Sequence, residues 1–283
     1  MDLSFVEVML TPWALALVGL CIGSFLNVVI HRLPQMLDRG WKAECADMLG
    51  VKVELPPEMT LSTPRSRCPS CGHAIAWYEN IPVLSYLWLR GKCSACKTPI
   101  SARYPFFEVL TAAIFAALAW RFGAQPTTLL WCAFAAVLVA LAGIDWDTTL
   151  LPDGLTLPLL WGGLVAAALG LTTSLSSAVW GAVAGYLSLW SVYWLFKLAT
   201  GKEGMGYGDF KLLAALGAWL GASMVLPVVL GASIFGAVVG VAMKLNSSLR
   251  EGRYVPFGPF LAGSGLAVLL LGPTRVLGWL GWA

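Results

Sequence analysis

The sequence predicts an all-α polytopic membrane protein of about eight transmembrane helices, with one small zinc-binding domain between the first and second helices. Hydrophobic residues make up 58% of its 283 residues and charged residues only 12%, whereas a soluble domain has roughly 25% charged residues. The mean hydropathy is +0.77, and long apolar runs follow one another along most of the chain. So few charges cannot cover a soluble surface, and we expect lipid to solvate much of the protein.

The predicted helices follow from the lengths of the apolar runs, because a hydrocarbon core of about 30 Å needs roughly 20 apolar residues. The runs cover residues 5–30, 104–120, 127–144, 155–171, 178–198, 210–221, 224–245 and 257–280. The stretch 210–245 is too long for one helix, and we expect a break near Gly221. The first run should remain attached as a helix, because it lacks the basic flank and the small-residue cleavage site of a signal peptide.

Three regions follow from this division. Residues 1–30 form the first transmembrane helix, residues 31–103 a polar domain, and residues 104–283 a membrane domain of about seven helices. Within the polar domain, the segment 35–65 matches no known motif, and we interpret it as a variable loop.

The basic residues predict the orientation. Ten of the 18 Lys and Arg residues fall within residues 31–103. With eight helices, the loops on the same side of the membrane add Lys197, Lys202, Lys211, Lys244, Arg250 and Arg253, whereas Arg121 and Arg275 fall on the other side. By the positive-inside rule the more basic side is cytoplasmic and both termini are periplasmic. No basic-aromatic stripe accompanies these charges, so we do not expect a nucleic-acid partner.

Four cysteines form two pairs, Cys68 and Cys71 in CPSC and Cys93 and Cys96 in CSAC. Two C-x2-C turns at this spacing predict a tetrahedral zinc site. Two disulfides or free thiols are the alternatives, and the reducing cytoplasm disfavours disulfides. Four sulfur ligands leave no open position for a substrate, so the zinc should be structural.

If the protein is an enzyme, its acid–base chemistry should rest on carboxylates. The sequence has only two histidines, His31 beside the first helix and His73 inside a cysteine turn. A Ser-His-Asp triad is therefore hard to build. An HExxH metalloprotease motif and a Walker phosphate loop are both absent.

Asp145 at the end of the third predicted helix and Asp209 at the start of the sixth are the candidate catalytic residues. The charge-derived topology places both at the cytoplasmic face. Two carboxylates in one site cannot both ionise easily, so they share one proton. Such a pair can activate a water and protonate the leaving amine. Gly204, Gly206 and Gly208 before Asp209 would allow close approach of a substrate backbone and positive φ angles.

Each acid also has a simpler interpretation. Asp209 could be only a helix cap. We interpret Asp147 as solvated and Asp153, in the turn LPDG, as structural. Glu108 could neutralise a basic residue among the helices or assist a second site. From composition and spacing alone, proton or ion transport through buried carboxylates rivals hydrolysis as the role of the pair.

Several sequence blocks, taken together, resemble the bacterial type IV prepilin leader peptidase/N-methyltransferases. These blocks occur in the family's order and span nearly the whole chain: GSFLNVVIHRLP, SRCPSCG, ENIPVLSYLWLRGKCSACKTPISARYPFFE, IDWDTTLLPD and GMGYGDFKLLAALGAWLG. The resemblance implies a bifunctional enzyme of the bacterial inner membrane. It would cleave the leader of type IV prepilins and type II secretion pseudopilins on the cytoplasmic side. It would then methylate the new N-terminal residue with S-adenosylmethionine.

The family's two catalytic aspartates fall on Asp145 and on Asp209 of the GxGD motif, which includes Gly206 and Gly208. The family associates methyl transfer with the cytoplasmic domain, but no glycine-rich nucleotide motif is present there. Possible contributors lie beside the cysteines, although surface or docking roles fit them equally well: Glu79, Asn80, Arg90 and Lys92. Besides a transporter, a non-enzymatic assembly factor with a zinc docking module is the remaining alternative.

Overall fold

The computed structural model describes residues 7–245 and 255–282, and the regular secondary structure in these residues is helical. We number the α-helices in chain order as α1 Pro12–Leu49, α2 Leu84–Trp88, α3 Arg103–Phe122, α4 Pro126–Thr148, α5 Asp153–Ala168, α6 Leu175–Thr200, α7 Tyr207–Leu220, α8 Val225–Leu245, α9 Gly258–Leu271 and α10 Pro273–Trp279. The chain divides into two compact units, Met1–Ala140 and Leu141–Ala283. Arg250 and Arg253, two of the predicted cytoplasmic charges, lie outside the described residues.

The predicted membrane class is confirmed. Five helices in the described part of the chain are long and apolar enough to cross a membrane: α1, α3, α4, α6 and the segment Ala222–Leu245. Helices α9 and α10 together, bent by 104°, would give a sixth. Helices α5 and α7 have only 16 and 14 residues. Each of the eight predicted runs contains a helix, but the count of eight spans stays a prediction.

The first helix is longer than expected. We placed its end near Ile30, whereas it continues to Leu49, through Pro34. It ends at Gly50, which adopts the left-handed conformation (φ 63°) and donates its N–H to the last-turn carbonyls. The expectation failed because hydropathy marks where a chain leaves lipid, and a helix with good polar helix formers can continue into water. The three-region division itself stays a prediction.

The segment 35–65 therefore consists of the end of α1, up to Leu49, and a non-helical stretch beyond Gly50. Residues beyond Gly50 return along α1, where arginine side chains hold their backbone. Arg32 donates to the carbonyls of Thr60 (2.9 Å) and Pro64 (2.7 Å), and Arg39 donates to that of Pro56 (2.9 Å). These two arginines thus bind backbone carbonyls as well as contributing to the charge bias.

In the first unit, α1 packs closely against α3. A Cβ atom at Gly19 would lie 2.7 Å from the Cα of Ala112, and one at Gly23 would lie 2.7 Å from the Cα of Glu108. This spacing of small residues lets two helix backbones approach each other, a common device of membrane helices. The Asn27 amide then donates to the Tyr104 carbonyl across the same contact (3.0 Å).

The second unit is built around α7. After Asp209 and Lys211 near its start, this helix is apolar on all sides, and such a helix is stable only when other helices surround it. Phe210, Leu212 and Leu213 are completely buried, and α5, α6 and α9 pack around them. The Trp219 indole donates to the Leu159 carbonyl of α5 (2.7 Å). The helix ends at Gly221 (φ 89°), which confirms the break predicted there.

Candidate functional site

Asp145 lies in the last turn of α4 and is 5% exposed. Its Oδ2 accepts the backbone N–H of Gly258, at the start of α9, over 2.9 Å. A buried carboxylate needs such a donor, because an unpaired charge away from water is costly.

Asp209 lies in the first turn of α7 and is 7% exposed. Its backbone N–H donates to the Gly206 carbonyl over 3.2 Å. Its Oδ1 is buried and has no hydrogen-bond partner within residues 7–245 and 255–282. Gly206, not Asp209, occupies the N-cap position of α7.

The two aspartates belong to one site in the second unit. Leu151 packs against the glycine next to Asp209 and against the glycine that bonds to Asp145: a Cβ atom at Gly208 would lie 2.7 Å from the Leu151 Cβ, and one at Gly258 would lie 3.3 Å from its Cδ1. The charge of Asp145 also acts directly on Asp209. Two buried carboxylates at this proximity can share a proton and act on one water molecule.

The glycines before Asp209 differ from the expectation. No backbone between Gly204 and Gly208 has a positive φ angle, so the expectation of left-handed glycines was wrong. A Cβ atom at Gly208 would collide with Leu151, and one at Gly204 would lie 3.0 Å from the Phe196 ring. At Gly206 the nearest atom would be the Asp209 Oδ2 at 3.7 Å. Close packing therefore explains two of the glycines, and only Gly206 leaves room beside the carboxylate.

Asp153 forms an ion pair that the sequence did not reveal. At the first residue of α5, it accepts two contacts from Lys211 of α7, at 2.7 and 2.8 Å. The pair joins the starts of the two helices, which agrees with the structural role expected of Asp153. Asp147 is exposed, as expected.

The loop before Asp209 is held by a cluster from α6. Lys197 donates to the Glu203 carboxylate (2.8 Å) and to the Tyr193 hydroxyl (3.2 Å). The Tyr193 ring packs against those of Tyr207 and Phe210, with centroids 5.2 and 5.7 Å apart. The residues on both sides of Asp209 are thus fixed by aromatic packing.

In the first unit, the four predicted ligands come together. The sulfur atoms of Cys68, Cys71, Cys93 and Cys96 lie within 4.8 Å of one another, and those of Cys68 and Cys96 are 3.8 Å apart. Four sulfurs about 2.3 Å from a tetrahedral zinc would be separated by about 3.8 Å. The cluster therefore fits a zinc site.

The two cysteine turns have the same backbone. The N–H of Cys68 donates to the His73 carbonyl and that of Cys93 to the Thr98 carbonyl, both over 2.9 Å. Each turn contains one left-handed residue, Gly72 (φ 72°) and Lys97 (φ 60°). Hydrogen bonds with Thr98, first with its hydroxyl and then with its backbone, lower the pKa of Cys96 to about 6, which favours the thiolate at this cysteine. In contrast, desolvation and the neighbouring sulfurs raise the pKa of Cys71 to about 11.

Glu79 connects the two turns. Its carboxylate accepts the N–H of Ala76 (2.9 Å) and lies 3.4 Å from His73. Hydrogen bonds from Ser94 and Ala76 lower the pKa of Glu79. These contacts hold the two cysteine turns next to each other.

The other candidates near the cysteines lie apart from this network. Asn80 is exposed, Arg90 has a left-handed backbone (φ 53°), and Lys92 pairs with Pro99 in an isolated bridge. Glu108 in α3 is buried and accepts the N–H of Val83 over 2.7 Å. It therefore fixes the turn before α2, where Val83 itself has an unusual positive φ of 59°.

Family models match both parts of the chain. Residues 17–122 match the bacterial peptidase A24 N-terminal domain, and residues 132–241 match the type IV leader peptidase family. The chain is also 54% identical over 270 residues to a prepilin leader peptidase/N-methyltransferase of Aeromonas hydrophila, an alignment that covers 93% of each protein.

The chain belongs to the type IV leader peptidase family. Proteins with the same name in Pseudomonas aeruginosa and Stutzerimonas stutzeri are 53% and 51% identical, over 90% and 94% of this chain and 89% and 92% of their own lengths. No solved structure matches the chain. The expected resemblance is confirmed, and so is the expectation of an enzyme with peptidase and N-methyltransferase activities. A transporter is not favoured.

Proposed function

We propose that this member of the leader peptidase family cleaves the leader from type IV prepilins and type II secretion pseudopilins. It then methylates the new N-terminal residue. Its relatives are named for both activities. The observation that supports the peptidase half is the burial of Asp145 and Asp209 in one unit, where Leu151 packs against both Gly208, next to Asp209, and Gly258, which bonds to Asp145.

Cleavage follows from the chemistry of the pair. One carboxylate takes a proton from a water molecule, whose oxygen attacks the scissile carbonyl carbon. The other carboxyl group donates a proton to the carbonyl oxygen and thereby stabilises the developing charge. Burial strengthens both interactions, because little water competes for the reacting groups. The open space at Gly206 would let a substrate backbone approach Asp209.

The two cofactors have separate roles. Zn²⁺ would be held by Cys68, Cys71, Cys93 and Cys96 and would fix the two turns relative to each other. Because all four ligand positions are sulfur, it would be structural. S-adenosylmethionine would supply the methyl group for the second reaction, and no step of peptide cleavage passes through it.

We further propose that the enzyme lies in the bacterial inner membrane with its active site toward the cytoplasm. The bias of basic residues supports this orientation, in which both termini would lie in the periplasm. The substrates would approach Asp145 and Asp209 at the membrane face, where their basic leaders lie on the cytoplasmic side.

The test is a reaction of the purified enzyme with a prepilin and S-adenosylmethionine, read by mass. Loss of the leader and gain of one methyl group are expected. Asp145→Asn and Asp209→Asn should each lower the cleavage rate by roughly 10²- to 10⁴-fold, because each removes one partner in proton transfer.

Asp147→Asn is the matched control. This acid is exposed and lies two residues from Asp145, so its variant should cleave at the normal rate. Normal cleavage by either of the two buried aspartate variants would refute the mechanism.

A further inference from the structure

A turn far along the chain contacts the candidate pair. Gly258, the first residue of α9, donates its N–H to the Oδ2 of Asp145, 113 positions earlier. Both residues are buried, so water competes little for this hydrogen bond. The segment carried no expectation beyond the start of an apolar helix.

No side chain fits at this position. A Cβ atom at Gly258 would lie 2.5 Å from the Oδ2 of Asp145 and 3.2 Å from its Cγ. Gly258 does not have a positive φ angle, so backbone conformation does not require glycine here. The close approach of the carboxylate does.

The two aspartates have different surroundings. The Oδ2 of Asp145 accepts a hydrogen bond from a neutral N–H, and such a bond is stronger when the acceptor is ionised. The Asp209 carboxyl group also has a backbone partner, Gly206, but its Oδ1 is buried without a partner in the described part of the chain. Nearby, Asp153 and Lys211 are paired with each other at 2.7 Å, and Asp147 is exposed.

We propose that Gly258 is a positioning residue whose N–H holds Asp145 as the ionised general base, while Asp209 carries the proton. This proposal rests on the proposed peptidase activity. Gly258 touches no reacting atom of the substrate. It acts through Asp145, by fixing one oxygen so that the other is aimed at the water.

The protons balance with these roles. Asp145 takes a proton from water as the water oxygen bonds to the carbonyl carbon, and Asp209 protonates the carbonyl oxygen, which gives a gem-diol. When the gem-diol collapses, one hydroxyl proton returns to Asp209 and Asp145 gives its proton to the leaving nitrogen as the C–N bond breaks. Asp145 is then ionised and Asp209 protonated, as at the start.

The first measurement compares two substitutions in the same helix. In the full-length enzyme, Gly258→Ala should lower kcat for prepilin cleavage by about 10²-fold, because a small displacement of a reacting group has that effect. KM should change little, since substrate binding does not use this contact. Gly263→Ala is the control, because a Cβ atom there meets nothing within 4 Å. It should retain activity within about twofold.

The second measurement locates the proton. Infrared spectra of enzyme carrying isotope-labelled aspartate should show the carbonyl band of one buried protonated carboxyl group. The band should disappear in Asp209→Asn and persist in Asp145→Asn. Both variants keep Gly258, so this result is available even if Gly258→Ala does not fold.

The outcomes separate the two proposals. If Asp145→Asn and Asp209→Asn still cleave, the proposed function fails. If both are inactive while Gly258→Ala behaves like Gly263→Ala, only the role of Gly258 is overturned. Absence of the band from the unmodified enzyme, or its loss in Asp145→Asn but not in Asp209→Asn, overturns the assignment of the proton.

Discussion

At the scale of single residues, the four clustered cysteines have their sulfur atoms close together, and they lie in two turns with the same backbone hydrogen bond. The N–H groups of Cys68 and Cys93 each close a turn onto a carbonyl five residues later. Such turns present two sulfurs to a common centre. Free thiols would leave these four groups close together with nothing to balance the charge of their ionised forms.

Purified enzyme should therefore contain about one zinc per chain. Cys71→Ser should lose most of this zinc and destabilise the domain, because a hydroxyl is a poor zinc ligand. Elemental analysis and thermal unfolding provide the two measurements.

Cys45→Ser serves as the control, since Cys45 is exposed on α1 and lies outside the cluster. Full zinc content after loss of two of the four clustered cysteines would contradict the assignment.

At the scale of helices, α6 and α7 cross with their backbones in contact. A Cβ atom at Gly181 would overlap the Gly217 carbonyl oxygen, and a Cβ atom at Gly217 would overlap that of Gly181. One turn further along α6, a Cβ atom at Gly185 would lie 2.6 Å from the Leu213 carbonyl oxygen. Because α7 carries Asp209, this crossing sets the position of one half of the pair.

Gly217→Ala should push α6 and α7 apart and displace Asp209. Overpacking of this kind costs about 1–3 kcal/mol, and we expect a lower melting temperature together with at least about a tenfold loss of cleavage. Gly240→Ala in α8 is the matched control, because a Cβ atom there meets nothing within 4 Å. Equal stability and activity in the two variants would show that the crossing tolerates a side chain.

The positions of the helices could be predicted from apolar runs, but their ends could not. Ile30 is the last residue of an apolar run and lies in the middle of α1. The stretch beyond residue 30 mixes polar and apolar residues, and despite Pro34 it holds enough good helix formers for the helix to continue. In contrast, the break at Gly221 was predictable, because the apolar stretch 210–245 is too long for one helix.

Among the candidate residues, too, some could be predicted from the sequence and others could not. Asp145, Asp209 and the cysteines were recognisable because ionisable groups and paired thiols are rare in an apolar chain. Gly258 has no side chain to mark it, and its partner lies 113 residues away. The Asp153–Lys211 pair was also missed, since charges 58 positions apart give no local signal. In the sequence, only the position of Gly258 between Phe257 and Pro259 indicated a tight turn.

At the scale of the whole molecule, the eight-helix topology makes a prediction that the basic residues support. An epitope inserted at Gly201 should be accessible only from the cytoplasm, and one at Gly170 only from the periplasm. Both glycines lie in exposed turns. Antibody binding to intact and opened spheroplasts measures the difference, and the active inserted proteins provide the control for folding. Accessibility of both epitopes from one side would contradict the eight-helix order.

Two short helices of the second unit, the enclosed α7 and its neighbour α5, have a consequence for the lipid around that unit. At about 1.5 Å per residue, the 14 residues of α7 reach about 21 Å, well short of a bilayer core of about 30 Å. Its neighbour α5, with 16 residues, is also short. Bilayers adapt to such mismatch by thinning. A thinned bilayer would bring water and the polar headgroups nearer to the buried aspartates. The rate of cleavage should then depend on the acyl-chain length of the lipid.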